Sequence, residues 1–476
     1  MNLPCFTLLA LTLSAALAHA APVSEAGRSC HLPGSEDALR CVTVTVPLDY
    51  AQPGGATLAL HVTVAPAFRD AARPDPLFIL AGGPGEAGSD VLPLLAATFG
   101  KTRATRDIVF IDQRGTGLSG KLDCERRDGD ELLGEAEAER AARACLGAQK
   151  QPLAAYTTAN AARDLDRVRL ALGYGKVNLW GGSYGTRLAQ AYARAFPAQV
   201  RALILDSVAA PEQVIPAGGR DAQAALDGLF SLCAANAGCA KAFPELRAEF
   251  AGLVERLGRG PIEINIVNPR TAEPLRVQMS SNRFLGTVHS ILYSPLDSSR
   301  LPFLIHSAYQ GRWQPFMARS NLASDISVDG GLGFVLHLAV TCAEDYPRLT
   351  PDLLAEDTRG SFLTAAAIRQ RADLCTAVKV PAVPYAAPTP IAAPALLLSG
   401  ALDPVTPPRR AEAAARHMPR AQHVVVANVG HGVSQLGCAP RLLRAFLDRP
   451  EQPLDAQCLK EIPAPTFLLR SAGPQP

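Results

Sequence analysis

Charge of one sign, long apolar runs and metal-type residue spacings are all scarce in this chain, and each scarcity removes a class of function. Lysine plus arginine (46) nearly balance aspartate plus glutamate (44), and no Lys/Arg run stands out. Nucleic acid and anionic membrane surfaces are therefore not expected as partners. Beyond the N-terminal segment, no stretch approaches the roughly 20 apolar residues of a membrane helix, so no span is expected in the mature chain. Neither C-x-x-C nor H-x-x-x-H spacing occurs, so no metal is expected, and no organic cofactor either. What is left, with 48% hydrophobic and 19% charged residues over 476 positions, is a globular chain long enough for one large α/β domain with an insertion.

Met1–Ala20 carries no charged side chain, is apolar through Phe6–Leu17 and ends in Ala18-His19-Ala20. Small residues in that pattern flank a signal-peptidase cut, so residues 1–20 are expected to be a signal peptide and the protein exported, to the periplasm or the medium. The cysteines agree. Of eleven, Cys5 lies in the signal and the other ten fall into neighbouring couples: Cys30/Cys41, Cys124/Cys145, Cys233/Cys239, Cys342/Cys375 and Cys438/Cys458. An even count with export implies disulfides, although connectivity does not follow from sequence.

Strand-like runs recur at 41–46, 57–65, 77–81, 108–111, 177–180, 202–205, 395–398 and 423–427. The first two read as an antiparallel pair joined through Pro53-Gly54-Gly55. From Leu77 the runs are short, apolar and without alternation, as in strands buried on both faces of a parallel sheet. Helical patterns at 160–172 and 186–196 alternate with them, which argues a doubly wound, mostly parallel α/β sheet. Between about Pro211 and Pro394 the alternation gives way to helical patterns and a Pro/Ala-rich connector, 380–394. The expected organisation is a core in two parts, 21–210 and 395–476, with residues 211–394 forming an inserted helical lid and its return linker.

The chemistry centres on Gly181-Gly182-Ser183-Tyr184-Gly185, a G-x-S-x-G pentapeptide between an apolar strand and a helical pattern. A serine on a sharp strand-to-helix turn has its hydroxyl held where a histidine can reach it. Acyl transfer also needs a base, a group to orient the base and donors for the oxyanion. Asp403 and His431 supply the first two, each just beyond a predicted strand and in the chain order Ser, Asp, His. Singly, the pentapeptide reads as a turn, Asp403 as a turn or helix cap, and His431 as a structural histidine. Together, in order and at strand ends, they read as a catalytic triad. The oxyanion donors are expected to be the amides of Tyr184 and of Gly83, in the loop Gly82-Gly83-Pro84-Gly85 after another strand. Asp112-Gln113-Arg114-Gly115-Thr116-Gly117 reads as a scaffolding Asp–Arg couple on a glycine-rich turn.

Gly82–Gly85, Asp112–Gly117 and Gly181–Gly185 together resemble the proline iminopeptidase and tripeptidyl aminopeptidase group of α/β-hydrolases. The early Val46-Pro47-Leu48-Asp49-Tyr50 and the cysteine-bearing segment after His431 look like its secreted tripeptidyl aminopeptidase branch. The resemblance implies an α/β-hydrolase fold with a helical cap. It also implies a serine exopeptidase acting on peptides with a free N-terminus, Ser183, Asp403 and His431 as triad, and Gly83 and Tyr184 as oxyanion amides. Two positions depart from the pattern: Ala81 stands where the iminopeptidases usually have histidine, and Glu86 where the tripeptidyl branch commonly has glycine.

An aminopeptidase must give the substrate ammonium a carboxylate, because burying it unpaired is costly. Glu344 and Asp345, adjacent in the lid, are the candidate amine anchors, and Glu86 beside the oxyanion loop is a third. The bland alternative is a pair of solvated lid acids. Two rivals to the peptidase reading remain: a carboxylesterase on the same triad, and a catalytically silent binding protein that keeps the pocket. A serine in the elbow disfavours dehalogenase or epoxide-hydrolase chemistry, which needs an aspartate nucleophile.

Overall fold

The computed structural model describes residues 27–471 apart from 34, 70, 126–132, 269–270 and 323–330; the expected signal peptide lies outside the described residues. A nine-stranded sheet organises the chain: β1 (Arg28–Cys30), β2 (Leu39–Pro47), β3 (Thr57–Ala65), β4 (Leu77–Leu80), β5 (Ile108–Ile111), β6 (Val177–Gly182), β7 (Val200–Asp206), β10 (Ala395–Gly400) and β11 (Ala421–Val426). Its spatial order is β1-β2-β3-β5-β4-β6-β7-β10-β11. The β1–β2, β2–β3 and β3–β5 pairs are antiparallel and every later pair is parallel, so the sheet is mostly parallel as read from the apolar runs.

Burial explains why those runs do not alternate. All four residues of β4 and nearly all of β5 are inaccessible to solvent, packed on both faces. Each such Leu, Ile or Phe contributes roughly 1.5–3 kcal/mol relative to exposure. One face packs on the helices Thr158–Ala171, Tyr184–Ala195 and Pro408–Ala415 through Leu165, Val168, Leu188, Tyr192 and Ala411. The other packs on Ala439–Asp448 through Leu443, Phe446 and Leu447. Strand order reverses around β4, which has β5 on one side and β6 on the other. A crevice at the carboxyl ends of strands is expected at such a switch point.

The segment between β7 and β10 builds its own aromatic core around Phe230, Phe250, Phe284 and Phe316. It is not wholly helical. β8 (Ile262–Val267) and β9 (Pro274–Met279) form a separate antiparallel hairpin. Ile264 and Ile266 are buried while Glu263 and Asn265 are exposed, a period-two pattern overridden in the reading by the surrounding helical periodicity. All five cysteine couples are disulfide-bonded. The motif around residue 112 also differs from the expected couple. Arg114 makes a bidentate ion pair with Asp164 (2.7 Å for both bonds), whereas Asp112 accepts from the Ser89 and Leu118 amides, so each clamps a different loop.

Candidate active site

Ser183 follows β6 with φ 53° and ψ −124°, a left-sided backbone that a non-glycine residue adopts only when its surroundings enforce it. The flanking glycines are the enforcement. A Cβ on Gly185 would lie 2.0 Å from Leu80 O, and one on Gly181 would lie 2.5 Å from Gly185 O. The turn is tied to the next strand by Ser183 N–H donating to Asp206 O at 2.9 Å, and Thr186 donates back to Ser183 O through N and Oγ1.

Asp403 and His431 follow β10 and β11, which are parallel neighbours in register, so both side chains emerge at the same sheet edge. His431 Nδ1 meets Asp403 Oδ2 at 2.8 Å. Thr406 Oγ1 donates to the same Oδ2 at 2.8 Å and stands 3.2 Å from His431 Nδ1. The amides of Val405 and Thr406 donate to Asp403 Oδ1 at 2.9 and 2.8 Å. The bonds to the His431 ring thus gather on Nδ1, and among the described residues Nε2 makes none. Burial alone would push the Asp403 carboxyl up, but the His431 charge and these donors outweigh it and hold it below the usual carboxylate range. Burial likewise disfavours the His431 cation, yet Asp403, with Asp206 and Glu86 behind it, lifts the imidazole above its ordinary value.

Asp206, at the end of β7, holds the histidine loop from behind. Its buried carboxylate accepts from Val433 N (2.9 and 3.0 Å) and Ser434 N (2.7 Å), and the neighbouring Ser207 Oγ accepts from Gly432 N at 2.8 Å. From the insertion, Tyr293 O accepts the His431 amide at 2.9 Å, and the Tyr293 ring packs edge-on against the imidazole at 5.2 Å.

Gly83 has φ 102°, and a side chain there would meet Leu332 Cδ1 at 2.4 Å. Two contacts from the insertion brace this loop: Gly333 N–H donates to Gly85 O at 2.9 Å, and His337 Nδ1 stands 3.1 Å from Pro84 O. Glu86 Oε2 accepts from Gly82 N at 2.7 Å. Burial pushes the Glu86 carboxyl up, partly offset by that amide. Gly82 also lies against Ser183: a Cβ there would lie 3.0 Å from Ser183 Cβ and 3.1 Å from Glu86 Oε2. Glu86 therefore caps the Gly82–Gly85 loop right beside Ser183.

The adjacent acids Glu344 and Asp345 part company. Asp345 is fully buried, and its carboxylate is taken by Arg187 Nη1 (3.0 Å to each oxygen) and Ile215 N (3.1 Å). It is a structural ion pair and cannot face a substrate, which corrects the expectation that it shares amine binding. Glu344 accepts from Thr158 N (2.7 Å) at Oε1 and Thr158 Oγ1 (2.6 Å) at Oε2, and the Thr158 hydroxyl also meets Tyr184 OH at 2.6 Å. Each Glu344 oxygen keeps one lone pair. Burial pushes this carboxyl up against the pull of the Thr158 bonds.

With a strained serine, a buried Asp–His pair and a glycine loop converging at one sheet edge, relationship can be weighed. Residues 75–434 match the family model described as alpha/beta hydrolase fold. The chain belongs to the α/β-hydrolase family. Serine protease Hip1 of Mycobacterium tuberculosis is 30% identical over 77% of this chain and 76% of its own length. The tripeptidyl aminopeptidase of Streptomyces coelicolor is 34% identical, over 37% of this chain and 36% of its own. Carboxylesterase B of M. tuberculosis is 31% identical over 36% of each. Among solved structures, a thermophilic esterase from Thermogutta terrifontis covers 87% of this chain and all of its own at 16% identity and TM-score 0.37. The family match, with the Hip1 serine protease and tripeptidyl aminopeptidase relatives, supports a place for this α/β-hydrolase in the serine peptidase group.

Two residues of this α/β-hydrolase's site escaped the sequence reading. Thr406 was open to discovery: a threonine three residues after an aspartate at a turn commonly returns its N–H and hydroxyl to the carboxylate. Asp206 was not, because its partners lie 227 and 228 residues away.

Proposed function

We propose that this protein is an exported serine aminopeptidase that releases short N-terminal units from peptides through an acyl-enzyme. The observation that carries the catalytic part is the 2.8 Å Asp403–His431 bond, made at the strand edge that also bears the positive-φ Ser183. In this reading His431 takes the Ser183 proton as Ser183 Oγ attacks the scissile carbonyl, while Asp403 fixes the imidazole tautomer and Thr406 fixes Asp403. The Gly83 and Tyr184 amides receive the oxyanion, His431 returns the proton to the leaving amine, and water then hydrolyses the acyl-enzyme by the same route. Residues 211–394 act as the lid, with its Gly333 and His337 contacts holding the oxyanion loop from above. Glu344 takes the substrate ammonium on its free lone pairs. The two peptidase relatives support the peptide substrate, and the five disulfides support export.

A carboxylesterase on the same triad is the second reading, favoured by the partial likeness to carboxylesterase B. One experiment addresses both. Fluorophosphonate labelling is expected in the wild type and absent in Ser183→Ala, whose turnover should fall by about 10⁶. Kinetics on free-amine peptide amides, their N-acetyl forms and simple aryl esters then divide the readings. Faster ester turnover with no dependence on the free amine would sink the aminopeptidase.

A further inference from the structure

A cavity of about 500 Å³ lies between the helices Glu135–Gly147, Ser281–Leu292 and Ala365–Asp373, and no triad residue lines it. It abuts the catalytic centre all the same. Thr287, Ser290 and Ile291 form part of its wall, and that helix runs directly into Tyr293, whose ring and carbonyl hold His431.

The charged groups around the cavity are almost all engaged within the protein. Glu139 accepts from Arg143 and Gln370, Glu135 from Ser280 and Asn282, and Arg319 pairs with Asp297. Arg283 donates to the carbonyls of Gln278 and Leu133. Arg371 is different: it lines the cavity and is exposed, and among the described residues its guanidinium has no ion pair or hydrogen bond. Its position is not remote. Burial is the first cause of the shifted titration of His289, Tyr293, His337 and Tyr346, and the Arg371 charge contributes at all four. Tyr293 stands on the His431 side of the centre, and His337 on the oxyanion side. An unpaired guanidinium therefore lines a cavity whose wall helix leads into Tyr293, and the cavity is in the usual size range for small-ligand sites, roughly 300–1,000 Å³.

We propose that Arg371 and this cavity form a subsite for a carboxylate carried by the substrate. The proposal rests on the peptide-substrate reading and sharpens it: with Glu344 receiving the ammonium, Arg371 selects short peptides that carry an acid as well. A guanidinium offers two parallel N–H donors to a carboxylate, a match a lysine cannot reproduce. The acid is either the C-terminal carboxylate of a short peptide or an Asp/Glu side chain.

The test compares three tetrapeptides with the wild type, Arg371→Gln and Arg371→Lys: a free acid, its C-terminal amide, and an amide bearing one glutamate. Melting temperature and fluorophosphonate labelling check that the variants fold. Arg371→Gln is expected to raise KM about tenfold for one acidic peptide relative to the plain amide, with kcat nearly constant, the scale of one lost charge-assisted pair. Arg371→Lys should recover part of it. Whichever acidic peptide responds identifies the source of the carboxylate. An equal change for acid and amide, or none, overturns the proposal. Should the enzyme cleave only esters, the same peptides serve as competitive inhibitors of aryl-ester hydrolysis. Acid-selective inhibition lost in Arg371→Gln then upholds the subsite while the peptidase reading fails, and inhibition blind to the acid refutes it.

Discussion

The nine-stranded sheet and the segment between β7 and β10 are built under different constraints, and the proposed mechanism gives them different tasks. In the sheet, each member of the proposed triad and the proposed oxyanion loop follows a strand: Ser183 after β6, Asp403 after β10, His431 after β11, and Gly82–Gly85 after β4. Parallel neighbours in register place these ends together, so geometry follows from hydrogen bonding. In the insertion, side-chain packing decides instead. Its helices enclose an aromatic core of their own, reach the site through a few contacts at Tyr293, Gly333 and His337, and carry Glu344 and Arg371. The difference teaches that substitutions in the sheet should act on kcat, and those in the insertion on KM.

The strongest way to break that division is Asp403→Asn. If Asp403 holds the imidazole tautomer as proposed, removing its charge should lower kcat by about 10⁴ with KM little changed. The pH profile gives a second reading of the same residue. On the proposed mechanism His431 works as a base only when neutral, and its pKa is raised, so kcat/KM should fall as pH drops through a value above the ordinary histidine 6.5. In Asp403→Asn the burial of the imidazole, which disfavours its cation, is left with less to oppose it, so the acid limb of the residual activity should move to lower pH. A limb that stays in place would mean that Asp206 and Glu86, not Asp403, set the histidine.

Thr406→Val is a finer probe. The isosteric change keeps the shape but removes the hydroxyl that touches both Asp403 and His431, at 2.8 and 3.2 Å. A loss of about 10–100-fold in kcat is expected, within the reach of one buried hydrogen bond to a charged group. Thr406→Ser should restore most of it. An effect confined to KM, or equal for Val and Ser, would show that Thr406 fills space and does not position the pair.

How much of this was legible follows from the same division. Strand ends were readable because fully buried parallel strands leave continuous apolar runs, and a nucleophile turn leaves glycines that no side chain can replace. The β8–β9 hairpin carried its own alternation at Ile262, Ile264 and Ile266, but helical neighbours masked it. Asp206 left no local signal, since a carboxylate that caps a distant loop looks like any strand-terminal acid. Glu344 and Asp345 show the limit most plainly. Neighbours in sequence at the end of helix Phe334–Glu344 point about 100° apart, so adjacency gave no warrant for a shared role. One turns to Thr158 and the other into the Arg187 ion pair.

The smallest expected effect bears on the insertion's side of the comparison. Glu344→Gln keeps the volume and an oxygen able to accept from Thr158, but removes the charge offered to a substrate ammonium. If the insertion governs recognition, KM for free-amine peptides should rise about tenfold, the scale of one charge-assisted bond. The kcat should change far less, because the ammonium is bound equally in ground and transition states and uniform binding does not alter the chemical step. N-acetylated peptides, which carry no ammonium, should not respond to the substitution, so the preference for a free amine collapses from one side only. A matching loss in kcat would place Glu344 in the sheet's half of the division, acting through Thr158 and Tyr184 on the oxyanion amide next to Ser183. Unchanged kinetics on both peptides would remove Glu344 from the site altogether and leave Glu86, the acid beside Ser183, as the remaining carboxylate for the amine.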